Sequence, residues 1–250
     1  MSHSRTLRRL CRMIVAVIGG TGAVGRPTVE ELERRGHEVR VLSRSAPEWP
    51  VDVRTGSGLD SALAGVDAVI DASNARLSSA RATRAVLLDG TRHLLAAEAT
   101  AGVTHHVLVS IVGIDRSRVP YNRIKLAQER LVEQGPVPWT IVRATPFHDL
   151  VAETFERTAR FGVLPSGRAP AQPIDARDVA PVLAEAVESG PRRERVEIGG
   201  PEIVPARELA RAWEAARGRR ALRLPLPIRY GTTPQRSRGL TFGAWLATRS

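Results

Sequence analysis

The chain has 250 residues, 42% hydrophobic and 25% charged, enough to bury a sizeable core, and its single cysteine, Cys11, excludes an internal disulfide framework. The net charge is +11, yet the arginines are spread over the whole length, aromatic residues are only 4%, and no zinc or RRM-type motif is present, which reads as a solvated basic surface and sets nucleic acid aside. No apolar run approaches the roughly 18–20 residues that a membrane span needs, so the sequence reads as soluble and cytoplasmic.

Residues 1–12 (MSHSRTLRRLCR) carry four arginines and no strand pattern. They read as a disordered leader, with Met13 as a candidate functional start; an amphipathic targeting helix is the alternative, supported only by Leu7 and Leu10. From Met13 the pattern alternates. A continuous apolar run, Met13 to Gly19, predicts a strand; glycines follow and open a helix from Ala23 to Arg35, ended by Gly36. Strands are predicted at His37 to Ser43, Val51 to Arg54 and Val66 to Ala72, with a helical turn at Ser61 to Ala64. A long helix from Ser79 to Ala101 leads to a buried-type strand, His105 to Ile111, then a helix from Pro120 to Gln134 and a strand from Pro138 to Arg143. Further helices fit Asp178 to Glu188, with Asp178 as cap, and Ala206 to Arg217.

Val/Ile runs joined by helices are the pattern of parallel strands covered on both faces. The expected fold is therefore α/β, a Rossmann-type doubly wound parallel sheet. Residues 13–250 are expected to form one domain, with 144–170 and 200–250 contributing a small substrate lobe. Ligands of such sheets lie at the carboxyl ends of the strands, so the loops after residues 19, 43, 72, 110 and 143 should line one site.

Gly19-Gly20-Thr21-Gly22-Ala23-Val24-Gly25 follows a strand and opens a helix, the context in which a glycine pattern signals a dinucleotide. The early glycines permit a tight turn and close approach to a pyrophosphate, Gly25 permits close helix–strand packing, and the helix start offers amide donors. The second strand ends in Ser43-Arg44-Ser45, with no acid between Val39 and Pro47 to hold a ribose diol. Arg44 suits a 2′-phosphate, which predicts NADP(H) over NAD(H). Ala72, Ser73 and Asn74 are read as part of the cofactor loop.

Of the 37 basic residues only Lys125 is lysine, and no glycine loop precedes it, which excludes a Walker A motif. It stands four residues after Tyr121, on one helix face, with Ser110 at the end of the preceding strand. An ammonium about 4 Å from a phenol at an effective dielectric of about 20 lowers its pKa by up to roughly three units, enough to make tyrosine an acid–base group. The adjacent His105 and His106 point to opposite faces of a strand and cannot chelate one metal; HExxH, CxxC and GxSxG are all missing, so metal and serine-hydrolase chemistry are unsupported.

GGTGAVG, SRS and the S…YxxxK set resemble the short-chain dehydrogenase/reductase superfamily, and specifically its atypical NmrA-like branch. The likeness runs from Met13 to about Gly218 and includes WTIVRATPFHDL and QPIDARDVA. It implies Tyr121 as proton donor to a substrate carbonyl, Lys125 on the nicotinamide ribose and Ser110 as carbonyl-positioning group, with hydride from C4 of NADPH. It also implies backbone contact of Thr145 and Pro146 with the nicotinamide. Phe147, His148 and Phe155 are read as candidate pocket residues, although a loop histidine is more often solvated or bonded to the backbone. The branch is mixed: some members reduce quinones, dyes or ketones, others bind NADP only as a signal. A small-molecule substrate is expected, with a noncatalytic NADP(H)-sensing regulator as the alternative; the residues give no oligomeric state, and no residue is a secure counterpart of the Asn of the usual tetrad.

Overall fold

A computed structural model describes residues 12–75, 79–225 and 231–249; Cys11 and nearly all of the expected leader lie outside them. The elements in chain order are β1 (Ile14–Ile18), α1 (Gly25–Arg34), β2 (Glu38–Leu42), α2 (Leu59–Leu63), β3 (Ala68–Asp71), α3 (Ala80–Arg84), α4 (Gly90–Ala101), β4 (His105–Ile111), α5 (Pro120–Gln134), β5 (Trp139–Ala144), α6 (His148–Ala159), β6 (Val163–Ser166), β7 (Pro170–Ala171), α7 (Ala176–Ser189), β8 (Arg195–Ile198), β9 (Val204–Pro205), α8 (Ala206–Arg217), β10 (Leu222–Pro225) and α9 (Phe242–Ala247). A π-helical turn, Ala85–Asp89, joins α3 to α4, and a 3₁₀ turn, Ile114–Arg116, precedes α5.

Six strands form one sheet in the order β2-β1-β3-β4-β5-β8, every pairing parallel. Alternation along each strand sends side chains to both faces. Val15, Val17, Val107 and Val142 pack against Val29 and Leu32 of α1 and Val179, Leu183 and Val187 of α7. Ala16, Ile18 and Val69 face Leu59, Leu63 and Leu94, and Leu108 and Ile141 face Leu95 and Val132. Apolar burial on both faces is why these strands read as unbroken Val/Ile runs. The fold is the doubly wound Rossmann type.

A smaller lobe has its own core. Val151, Phe155, Leu209, Trp213, Phe242 and Trp245 bring α6, α8 and α9 together, beside a parallel β6–β10 pair and an antiparallel β7–β9 pair.

Two local expectations are corrected. Val51 to Arg54 forms no sheet strand: it has isolated bridges only, Ser43 to Pro50 and Asp52 to Ser57, because the Asp52 carboxylate accepts the Arg54 amide at 3.0 Å and turns the chain. Helix α7 starts at Ala176, not Asp178, with Asp175 as the cap that accepts the Arg177 amide at 2.9 Å. The sheet also gains β8 from RVEI, a half-buried edge strand too short to stand out in sequence.

Candidate active site

The glycine loop is shaped by its neighbours. Gly19 has φ +72, and a Cβ there would lie 2.8 Å from the Ala72 carbonyl oxygen; one on Gly25 would lie 2.2 Å from the Gly19 oxygen. These two positions require glycine, for a left-handed turn and for close approach of α1 to the loop. The turn closes through the Gly22 amide, which donates to the Gly19 carbonyl at 2.8 Å. Helix α1 begins at Gly25 with Val24 as a cap that makes no side-chain bond and with no acid in its first turn. Thr21, Gly22 and Ala23 are exposed at this end. An uncapped helix start above a glycine turn fits a pyrophosphate.

Ser43 and Arg44 leave β2 beside this loop, Arg44 exposed. Asp52 lies within electrostatic reach of Arg44, and the Asp52 carboxyl is held below its usual range chiefly by the hydrogen bond from Arg54, with a smaller contribution from Arg44. Among the described residues Arg44 makes no ion pair within 4 Å, and Asp52 is engaged by Arg54.

The chemistry expected around Tyr121 is arranged differently from the reading in which Lys125 sits on its hydroxyl. Tyr121 donates to Asn74 Oδ1 at 2.8 Å, bridging the N-terminus of α5 to the loop after β3. Lys125 lies one turn deeper and is buried; its Nζ donates to the Val109 carbonyl at 2.7 Å and to Gln128 Oε1 at 2.8 Å. Gln128 in turn donates to Asp71 Oδ2 at 3.0 Å and to Thr91 Oγ1 at 2.9 Å, while Asp71 Oδ1 accepts the Ser73 amide at 2.8 Å. The sole lysine therefore reaches the Asn74 loop through Gln128 and Asp71. Burial pushes the Tyr121 phenol up to about 12, with Asp71 adding to it, and burial pulls the Lys125 ammonium down to about 8 against Asp71 and Glu129. In this structure the tyrosine pKa is raised, chiefly by burial and then by Asp71, and Lys125 is turned to Val109 and Gln128 and not to the hydroxyl.

Ser110, near the end of β4, has a buried hydroxyl with no hydrogen-bond partner among the described residues, an orphaned polar atom beneath the strand ends. Its register partner Arg143 grips Glu129 at 2.6 Å and the Asp115 carboxylate at 2.7 Å, tying the loop after β4 to α5. Sequence reasoning missed Asn74 as the tyrosine partner, and Gln128 and Arg143 altogether. The one legible signal was Arg143 itself, a charge inside the buried strand WTIVRA.

On the next loop, Thr145 is buried, its amide donating to the Ile198 carbonyl and its hydroxyl accepting the Gly200 amide at 3.3 Å, and the Pro146 carbonyl accepts the Ile174 amide at 3.0 Å. Phe147 is half-buried and packs against the sheet core. Phe155, read as a pocket residue, is buried in the core of the small lobe, and His148 is buried there too, as the backbone-bonded group that a loop histidine more often is. The His148 ring lies 5.6 Å from Phe242 and 5.3 Å from Trp245, and its Nε2 donates to the Leu240 carbonyl at 3.0 Å. Phe155 meets Trp213 edge-on. Both lie on the buried stripe of α6 with Val151, Ala152 and Ala159, a 3.6-residue spacing that was visible in the sequence. Elsewhere, His106 pairs with Glu98 and His105 with Thr140, on opposite faces of β4. Among the described residues no three His, Cys, Asp or Glu side chains are grouped to hold a metal, and no helix is long and apolar enough to cross a membrane.

An uncapped glycine turn at the carboxyl end of the first parallel strand defines a nucleotide-binding Rossmann protein. More particularly, residues 19–190 match the family model described as NAD(P)H-binding, and the chain belongs to that family. The fold is shared with a short-chain dehydrogenase/reductase superfamily protein from Agrobacterium tumefaciens, solved with bound NAD, which superposes at TM-score 0.74 with 19% identity, over 94% of this chain and 95% of that one. The photosystem II assembly factor Ycf39 of Synechocystis sp. is 34% identical over 147 residues, 54% of this chain and 45% of the relative. The NAD(P)H azoreductase of Xenophilus azovorans is 27% identical over 233 residues, 87% of this chain and 76% of the relative. The chain spans about half the length of the Ycf39 relatives it matches.

Proposed function

We propose that this protein is a cytoplasmic NADPH-dependent reductase of a carbonyl or quinone-like small molecule, in which Tyr121 donates the proton. The observation that carries the reading is the Tyr121 hydroxyl, held on Asn74 at 2.8 Å at the strand ends that the glycine loop also borders. The resemblance of most of the chain to an azoreductase supports reduction over other chemistry.

When bound, NADPH supplies a hydride from nicotinamide C4. The glycine loop and the start of α1 hold its pyrophosphate, Arg44 and Ser43 its 2′-phosphate. Tyr121 keeps its proton through the neutral pH range, because the neutral phenol is favoured by burial and by Asp71. It serves as a hydrogen-bond donor to an acceptor oxygen and releases its proton as negative charge develops there. Ser110 supplies a second hydroxyl and Lys125 a buried positive charge beneath the site, while the loop residues Ala72–Asn74, Thr145 and Pro146 frame it.

The test is oxidation of NADPH by a panel of quinones, azo dyes and aldehydes, with wild type and Tyr121→Phe compared on any substrate turned over. The reading expects kcat to fall at least about tenfold, the low end for loss of a general acid. Equal rates contradict it. A second reading, an NADP(H)-sensing regulator, draws on the Ycf39 resemblance and on the inward-turned Lys125; cofactor binding without turnover, and a partner whose affinity changes with NADP, would favour it.

A further inference from the structure

The small lobe carries two adjoining open clefts, each with three arginines in its lining. One, of about 660 Å³, is lined by Ser166, Gly167, Arg168, Arg207, Arg223 and Pro225. The other, of about 520 Å³, shares Arg223 and adds Arg211, Arg220 and Glu214. The fold fixes this convergence. Parallel pairing places Arg223 of β10 beside Leu164 of β6, and the loop leaving β6 is sewn to the first turn of α8: the Ala206 amide donates to the Ala169 carbonyl at 2.9 Å and the Arg207 amide to the Gly167 carbonyl at 3.0 Å.

The charges in these walls do not balance. Glu214 bonds Arg223 at 2.7 Å and also accepts the Ala221 amide, so the one acid lining the cavities is already spoken for. Arg168, Arg207, Arg211 and Arg220 make no ion pair among the described residues. Guanidiniums that line one cleft repel each other unless an anion enters, and their planar forks match phosphate oxygens two at a time. A volume of this order suits a small ligand, and the clefts are open to solvent on one side.

We propose that the Arg168–Arg207–Arg223 cleft is an anion-binding site for a small phosphorylated ligand carrying two or more negative charges. The site shares no residue with the glycine loop or with Tyr121, and it stands whether or not the protein is a reductase.

The probe is inorganic pyrophosphate, titrated calorimetrically into the full chain at physiological ionic strength with the glycine loop saturated by NADP⁺. Wild type is expected to show saturable binding with Kd below about 1 mM. Arg168→Gln/Arg207→Gln should weaken it by at least about tenfold, the loss of paired charge-assisted bonds, and Arg168→Gln alone, at an exposed position without an internal bond, by several-fold without touching the fold. Arg130→Gln, exposed on α5, should change it less than about twofold, since a distant surface charge is screened. No saturable binding, or an equal loss in Arg130→Gln, overturns the site in favour of the diffuse field of a +11 chain. Citrate binding more tightly than pyrophosphate overturns the phosphate assignment.

Discussion

Tyr121 and Lys125 sit on one helix face, yet a single turn of α5 separates a half-buried phenol on Asn74 from an ammonium committed to Val109 and Gln128. The spacing was legible and the depth was not, because i,i+4 fixes direction around a helix and says nothing of how far each side chain sinks below its neighbours. Asn74 could be placed near the cofactor but not on the hydroxyl, since that contact joins two elements 47 residues apart. At the other end of the site, Arg44 is exposed and its neighbouring acid Asp52 is held by Arg54. Arg44→Ala is therefore expected to weaken NADPH binding by about tenfold, one charge-assisted phosphate pair, and to leave NADH nearly unchanged. Fluorescence titration of both cofactors checks it; equal losses would place Arg44 off the 2′-phosphate.

Element by element, the glycine turn, β1, β4, α5 and α8 could be read from the sequence because local rules fix them: glycine where φ is positive, apolar runs where both faces are covered, proline at a helix start. The segment around Asp52 and the cap of α7 could not, because side chain–backbone bonds of Asp52 and Asp175 override the apolar pattern. Helix α5 is also where the interior is most polar. Glu129 is fully buried, and Arg143 spans it and Asp115. Arg195 also reaches Glu129 at 3.3 Å, so Arg143→Ala strips the shorter of two cationic partners from a buried carboxylate and should cost about 1.5–3 kcal/mol in urea unfolding, the worth of charge-assisted hydrogen bonds. Arg143→Ala/Glu129→Ala should recover part of that loss. If the single variant unfolds at the wild-type midpoint, the clamp contributes nothing to stability.

Over the whole molecule, the buried histidines make stability depend on pH. Burial holds His105 down at about 4 and also lowers His148, against an ordinary histidine near 6.5. In both, the unfolded chain binds the proton more readily than the folded one. Their contribution is thus fully present above about pH 6.5 and is lost as the pH falls toward 4. The His106–Glu98 pair has the opposite sense, since both pKa values are raised, so its stabilisation is lost as the pH rises. His105→Gln should flatten the fall in melting temperature between pH 6.5 and 4; an unchanged slope would assign that fall to other groups.

The molecule's two lobes meet their roles at the strand ends, and the central claim is that the Tyr121 hydroxyl faces the reactive carbon of a bound nicotinamide. The most direct measurement is a crystal structure of the full chain with NADP⁺. The account predicts the pyrophosphate on the Gly19–Gly25 turn, the 2′-phosphate on Arg44, and the Tyr121 hydroxyl within about 5 Å of nicotinamide C4, facing space for an acceptor. A Tyr121 still turned onto Asn74 and away from C4, or a nicotinamide face covered by residues 231–249, would contradict it and move the protein to the cofactor-sensing reading.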